Sequence, residues 1–462
     1  MACTRRLRIL LTVPMVRADR MRTRSWSACD SLNDSGLGYV AASCVRAGAE
    51  VTLLSWDTDL DRDGLRLALL QYQPDVVGVK VLTPLFRAAT TTLQVVRNTL
   101  PRAITVIGGP HPSTTPPAVL FTEFGHLIDY GVAGDGELAM AGLLSCIAPD
   151  PGQPSADRLR HIPGLVYING TRPTANPPCY PNLGDEEYIL DWSLQPPARF
   201  STAPNPALRG AYALICDSRG CPARCGHCTA GAISGGGLPR RRSAAGICAE
   251  LEELFSRYSL RAFDFTGNNF LSDVDAVSTI CEWLAHRGSG VTWGCTGAAH
   301  IASLDDDHLL RLMHRAGCRS IHFGVESGSE PVAKALHKPF SLAQCDHIVR
   351  RVRNAGIAAR GYFMFGFPNE ELRDMRQTIR YAFQTPFSTW AFAICLPLPG
   401  TSSHLALLRQ LNVDRIDWSK YGFQNPQLLP SKATPRQVRV ILRIARVLAK
   451  TPISRSLARY AM

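Results

Sequence analysis

The chain has little of what would mark a membrane, fibrous or disordered protein. None of its apolar runs approaches the roughly 18 residues that a membrane-spanning helix requires, and it shows neither an internal repeat nor a low-complexity tract. Charged residues fill only 19% of the 462 positions and hydrophobic ones 45%, the balance of a globular protein long enough for two or three cores. No Ser-His-Asp or Cys-His arrangement stands out, so nothing points to a side-chain nucleophile. The formal charge of +12 comes without any aromatic-basic module, which argues against nucleic acid as a partner. Acids are missing altogether from 431–462, where eight Lys and Arg residues supply +8 of that charge.

The opening MACTRRLRILLTVPMV imitates a signal peptide, but its apolar part is short, contains Pro14 and meets no small-residue cleavage site. It reads as a first β-strand of a cytoplasmic protein. Residues 1–148 then alternate short apolar strands with amphipathic helices: LRILLTVPMV, EVTLLSW, DVVGVKVL and AITVIGG as strands, GLGYVAASCVRAGA and AATTTLQVVRNTL as helices. This alternation predicts a doubly wound, Rossmann-like parallel sheet. Residues 149–205 are proline-rich and read as a linker, with a hairpin turning at Asn169-Gly170. From 206 to 401 six more strand-like segments appear: YALICDS, AFDFTG, VTWGCTG, SIHFGVES, ARGYFMFG and WAFAICLPL. Six βα units fit a (βα)6 partial TIM barrel, whose ligands sit at the carboxyl ends of the strands. The remaining 402–462 form a basic, helical C-terminal segment. There Thr434-Pro435 gives an N-cap and a first helical residue. The basic face of that helix is either solvated or a contact for an acidic, phosphorylated or carrier-linked substrate.

Fifteen cysteines are an odd number, and most, such as Cys44, Cys146, Cys281, Cys318 and Cys395, lie singly in apolar stretches as small buried hydrophobes. The exception is GCPARCGHC, with Cys221, Cys225 and Cys228 in one loop after a strand. Structural zinc calls for four ligands, usually as two close pairs, and no second pair exists. His227 would have to turn back into a loop already bearing three ligands. A four-iron cluster suits better, with three irons taking thiolates and the fourth left for an exogenous ligand.

That spacing, after the first strand of a (βα)6 series, resembles the radical S-adenosylmethionine (SAM) enzymes. The resemblance extends to AGCRSIHFGVESGSEPVAKALHKPFS, where Glu326 and Ser327 end the fourth strand. It continues in GYFMFGFPNE, where Gly366 lets backbone approach adenine, and in LPLPGT around Pro397. Taken alone, Gly366 could equally be a strand bulge. The resemblance implies a [4Fe-4S] cluster on Cys221, Cys225 and Cys228, and SAM bound near His227, Gly267, Asn268, Glu326, Ser327, Gly366 and Pro397. The reduced cluster would split the sulfonium and release a 5′-deoxyadenosyl radical. Three departures accompany it. The family's Gly-Gly-Glu is replaced by Thr266-Gly267-Asn268-Asn269. His227 stands where an aromatic residue is usual. TGAAH (Thr296 to His300) lacks an arginine.

The segments YQPDVVGVKVLTP, TVIGGPHPSTTPPAVL and YGVAGDGELAM resemble the cobalamin-binding domain fused to one branch of this family. The resemblance implies cobalamin near Thr83, Gly108, Gly109, His111, Gly134, Gly136 and Glu137. The glycines either let backbone lie against a flat macrocycle or form ordinary tight turns. The Asp-x-His-x-x-Gly that would supply a lower axial ligand is absent, and prolines on both sides of His111 mark it as a turn residue. The combination implies a cobalamin-dependent radical SAM methyltransferase. It would move a methyl group from SAM, via methylcobalamin, to an unactivated carbon of a small molecule of secondary metabolism, such as antibiotic biosynthesis, with a flavodoxin- or ferredoxin-type electron donor. The alternative with the same cofactors is a non-methylating rearrangement or cyclisation.

Overall fold

The computed structural model describes residues 5–15, 34–54, 61–147, 154–184, 189–200, 210–236, 239–288, 290–296, 301–420 and 429–450. They fall into two compact units, one of residues 1–198 with 232–235 and the other of 199–231 with 236–462.

The first unit is built on strands β1 (Arg8–Thr12), β2 (Glu50–Leu54), β3 (Val76–Lys80), β4 (Ile104–Gly108), β5 (Tyr130–Val132), β6 (Leu165–Asn169) and β7 (Arg172–Ala175), in the order β2-β1-β3-β4-β5-β6-β7. The first five are parallel, with Leu10 opposite Thr52 on one side and Val77 on the other. The run Ile9, Leu10, Leu11 and Thr12 is fully buried, as a strand covered on both faces must be. The signal-like opening is therefore a central strand. Helices α1 (Ser35–Arg46), α2 (Arg62–Tyr72), α3 (Phe86–Thr99), α4 (Pro110–Thr114), α5 (Pro117–Phe124) and α6 (Gly136–Ile147) make the crossovers. Asp34 starts α1 by accepting the Leu37 N–H at 3.0 Å. The chain reverses direction between β1 and β3, and in doubly wound sheets that switch point, at the carboxyl ends, receives ligands.

Three expectations shift here. The hairpin of 149–205 is no free linker, because β6 pairs antiparallel with β5 and extends the sheet. Its two-residue loop is Gly170-Thr171 rather than Asn169-Gly170, since Asn169 still pairs with Arg172 and Gly170 takes φ +63°. His111, expected in a turn, lies in α4, where Pro110 occupies a first-turn position that needs no N–H.

The second unit contains β8 (Ala198–Phe200), β9 (Gly210–Ile215), the short ladder of β10 (Ser218–Arg219) with β11 (Arg240–Arg241), then β12 (Leu260–Phe265), β13 (Thr292–Thr296), β14 (Cys318–Glu326), β15 (Ala358–Phe365) and β16 (Thr389–Ile394). The sheet order is β16-β15-β14-β13-β12-β9-β8, and the six expected strands pair in parallel as an open half-barrel. Its helices are α7 (Ala244–Tyr258), α8 (Val274–Arg287), α9 (Asp307–Arg315), α10 (Glu330–Ala335), α11 (Leu342–Asn354), α12 (Leu372–Gln384), α13 (Ser402–Leu411) and α14 (Pro435–Lys450). Alternation sorts the strand residues by face. Ile321, Phe323 and Val325 of β14 are fully buried, while Ser320, His322 and Glu326 share the opposite face.

Helix α14 begins as expected, with Thr434 and Gln437 capping each other reciprocally. Val438, Ile441, Leu442 and Ala445 form its buried face. Its basic residues are not all solvated, because Arg446 turns inward and donates to the Phe392 carbonyl at 3.0 and 3.2 Å. Arg455 and Arg459 lie outside the described residues.

Candidate active site

The three cysteines sit in the loop that leaves β10, entered through Gly220 at φ +92°, a conformation that favours glycine. Backbone contacts shape this loop. Cys228 N–H donates to the Cys225 carbonyl (3.0 Å), and Gly226 N–H donates to the Leu336 carbonyl at the end of α10 (3.1 Å). The Gly226 carbonyl accepts from the Ser403 N–H at the start of α13 (3.1 Å). The Ala230 N–H points at Cys228 Sγ, 3.4 Å away, the type of contact that supports a thiolate ligand. Burial pushes the Cys225 and Cys228 thiols up, opposed at Cys225 by Lys338 and at Cys228 by the Ala230 N–H. Among the described residues no three His, Cys, Asp or Glu side chains converge on a single ion. A cluster instead spreads its thiolates over three irons, and a three-cysteine loop held by its own backbone fits that donor set.

Glu326 ends β14 with φ +69°, in the left-handed region that costs a non-glycine residue about 1–3 kcal/mol. Its carboxylate lies between two buried side chains, with Oε1 3.8 Å from His227 Nε2 and 3.7 Å from Lys338 Nζ. Burial lowers the His227 pKa, so the ring is neutral at pH 7, and it packs edge-on against Phe367 at 5.5 Å. The Gly267 N–H donates to Asp217 Oδ1 at 2.9 Å, and a Cβ there would stand 2.3 Å from the same oxygen, so only glycine fits. Asn268 is exposed, whereas Asn269 is fully buried with neither amide atom partnered among the described residues. Gly366, at φ +101°, donates its N–H to Glu370 Oε2 at 2.6 Å. Pro397 is buried just beyond β16.

These residues therefore gather where β9, β12, β14, β15 and β16 end. Ser327 is engaged locally: its hydroxyl lies 3.2 Å from Thr378 Oγ1 and accepts the Ser329 N–H. Of TGAAH only Thr296 is described. Sequence reasoning passed over Lys338 and Glu370, although both stand inside the stretches that carried the resemblance. It also passed over a polar inner wall of the half-barrel. There the Tyr212 hydroxyl donates to Asp264 (2.7 Å), and His322 lies 3.4 Å from both Ser320 Oγ and the Tyr362 hydroxyl. Arg360 lies over the Tyr362 ring at 5.2 Å. Polar residues recurring every second position along β14 and β15 were the available signal.

In the first unit Thr83, Gly108, Gly109, His111, Gly134, Gly136 and Glu137 all lie at the carboxyl ends of β3, β4 and β5 or at the start of α6. Three of the glycines have reasons within the chain. A Cβ would stand 3.1 Å from Lys80 at Gly109, 2.9 Å from Pro178 at Gly134 and 3.0 Å from Val40 at Gly136. Gly108 alone has room for a Cβ, its nearest neighbour being Val132 in ordinary contact at 4.0 Å, so packing within the chain does not demand glycine there and a flat ligand lying against the backbone would. The edge of a doubly wound sheet with such a gap fits cobalamin.

His111 is fully buried with both ring nitrogens engaged, Nε2 2.9 Å from Glu123 Oε2 and Nδ1 3.1 Å from Thr83 Oγ1. A carboxylate only accepts, so Nε2 donates to Glu123, while Nδ1 shares a hydrogen bond with the threonine hydroxyl. Neither nitrogen is left for cobalt. Cob(II)alamin bound to the full chain is expected to show no nitrogen hyperfine splitting from a protein imidazole by electron paramagnetic resonance. The His111→Ala variant should lose on the order of 2–4 kcal/mol of stability while keeping that spectrum. A protein-derived nitrogen splitting that vanishes in the variant would reverse this assignment.

Comparison with known proteins agrees with this geometry. Residues 215–382 match the family described as the radical SAM superfamily, and residues 30–144 match the B12 binding domain. An uncharacterised methyltransferase of Pyrococcus horikoshii is 25% identical, covering 89% of this chain and 86% of its own. The anaerobic magnesium-protoporphyrin IX monomethyl ester cyclase of Rubrivivax gelatinosus is 26% identical, over 84% of this chain and 68% of its own. Among solved structures, the radical SAM methyltransferase TsrM of Kitasatospora setae, with cobalamin and a [4Fe-4S] cluster bound, superposes with a TM-score of 0.66. That match has 17% identity and covers 95% of this chain and 82% of that one. A B12-binding domain and a radical SAM domain in one chain make this protein a cobalamin-dependent radical SAM enzyme. Those two domains bring cobalamin, SAM and a [4Fe-4S] cluster as cofactors, and the Pyrococcus and Kitasatospora proteins it resembles carry methyltransferase names. No helix among the described residues is long and apolar enough to cross a membrane.

Proposed function

We propose that the enzyme transfers a methyl group from SAM to an unactivated carbon of a small polar molecule, drawing electrons from a flavodoxin- or ferredoxin-type donor. The observation that carries this reading is the pairing of a B12-binding and a radical SAM domain in one chain. When bound, the cofactors supply a hydrogen-abstracting radical and a transferable methyl group. The chain's own residues hold and orient. Cys221, Cys225 and Cys228 anchor the cluster. Gly267, Asn268 and Glu326 line the methionine and ribose side, with His227 beside Glu326, while Gly366 and Pro397 shape the adenine side. Asp264, His322, Arg360 and Tyr362 offer a substrate both hydrogen bonds and a charge. No two cysteines among the described residues are joined in a disulfide, as expected of a reducing cytoplasm.

The cyclase relative keeps a second reading open, in which the same cofactors serve a non-methylating closure. Anaerobically reconstituted enzyme given SAM and a strong reductant decides between them. Methyl transfer yields S-adenosylhomocysteine together with 5′-deoxyadenosine. Deoxyadenosine without any S-adenosylhomocysteine would favour the cyclase-like reading.

A further inference from the structure

Lys338 is a buried ammonium to which no part of the reading above gives a task. Its side chain is only 4% exposed, and its Nζ lies 3.7 Å from Glu326 Oε1 and 5.2 Å from the centre of the Phe340 ring. It follows His337, whose carbonyl stands 4.0 Å from Cys225 Sγ and whose φ of +55° turns the chain sharply at this point. That contact sets His337 and Lys338 against the Cys225 arm of the cluster loop, and Glu326, which Lys338 faces, also lies 3.8 Å from His227 beside Cys228. A lysine kept this far from water needs a compensating charge. Glu326 supplies only part of it, since 3.7 Å is too long for a charge-assisted hydrogen bond and the carboxylate is shared with His227.

We infer that Lys338 sets the reduction potential of the cluster, its fixed positive charge stabilising the reduced state while Glu326 opposes it. The inference rests on the three-cysteine cluster site. Reduction adds one electron from an external low-potential donor, with no bond made or broken and no proton taken up, so the cluster gains one negative charge. A cation held nearby in a poorly solvated pocket raises the potential, and an anion lowers it. Lys338 is accordingly a positioning and tuning residue. Its two electrostatic partners predict opposite shifts when each is neutralised.

The test is a redox titration of the anaerobically reconstituted full chain without SAM, followed by the electron paramagnetic resonance of the reduced cluster. At a fixed poise, Lys338→Gln should lower the ratio of reduced to oxidised cluster about tenfold, equivalent to about 59 mV for one electron. Lys338→Arg should stay near wild type, and Glu326→Gln should shift the ratio upward. Lys338→Met, which keeps the apolar stem against Phe340, should match Lys338→Gln. Wild-type potentials in both neutral variants would overturn the inference, as would shifts of the same sign in Lys338→Gln and Glu326→Gln. Loss of cluster iron from both neutral variants alone would also overturn it, by making Lys338 a folding residue. A wild-type chain that takes up no cluster would instead sink the site reading on which the inference rests.

Discussion

Replacing Cys225 by alanine should reduce SAM cleavage to the uncatalysed background and strip most of the iron from anaerobically reconstituted protein. Disturbing a group that merely supports a metal ligand costs roughly 10–100-fold, and removing one of three ligands should exceed that. Cys221→Ala and Cys228→Ala should behave alike, because the cluster needs three anchors and no other cysteine stands in the loop. The fold should survive all three changes. Gly226 holds the loop through its own backbone to Leu336 and Ser403, and these bonds do not involve the thiols. Cys44 and Cys345 provide the contrast. Both are fully buried, and burial pushes each thiol up to about 12, so they are inert packing groups. Cys44→Ala should keep full iron content and cleavage activity. Iron and deoxyadenosine assays on the four variants check this. Undiminished cleavage by Cys225→Ala, or stoichiometric zinc in the wild-type loop, would refute the cluster assignment.

The contrast between these cysteines shows which kind of information the sequence displays. Strand and helix periodicity is local, so β1 to β4 and the six half-barrel strands were all legible as short apolar runs between amphipathic segments. The three-cysteine loop was legible because spacing within one loop is also local. What failed to show was pairing across distance. Nothing in GLVYINGTRP says that β6 will pair with β5 rather than stay a separate linker. His111 looked like a turn residue between its prolines. Only the fold brings Thr83 and Glu123 to its two nitrogens, taking it out of consideration as a cobalt ligand. Arg446 belonged by pattern to a solvated basic face, yet a strand carbonyl draws it inward. Lys338 and Glu370 were in view but had no visible partner, so no role could be assigned to them.

Glu370 carries the second large effect. Its Oε2 accepts the Gly366 N–H (2.6 Å) and the Phe367 N–H (3.1 Å), so a single carboxyl group closes the loop that presents backbone beyond β15. Removing it in Glu370→Ala leaves two buried donors unsatisfied, at about 1–3 kcal/mol each. That variant should lose about 2–5 kcal/mol of stability and bind SAM at least about tenfold more weakly, since Gly366 loses its support. Glu370→Gln keeps an oxygen acceptor for both donors and should retain most of the binding. The two variants also differ with pH. Burial pushes the Glu370 carboxyl up to about 8 from 4.5, against the pull of the two N–H groups. The folded chain therefore holds this proton more tightly than the unfolded chain does. The resulting stability is complete below about 4.5 and is lost as pH rises through about 8, by at most about 1.4 kcal/mol per pH unit. Asp217, pushed up to about 6, adds a slope of the same sign that ends earlier. His227, His322 and His404, whose pKa values burial lowers, add a slope of opposite sign near pH 6.5 in every variant, so the difference between wild type and Glu370→Gln in denaturant unfolding isolates Glu370. Wild-type stability should fall relative to Glu370→Gln between about pH 6.5 and 8. An equal fall in both proteins would mean that the carboxyl is already ionised in the fold, and that the loop bearing Gly366 is held by a buried anion instead of a neutral acid.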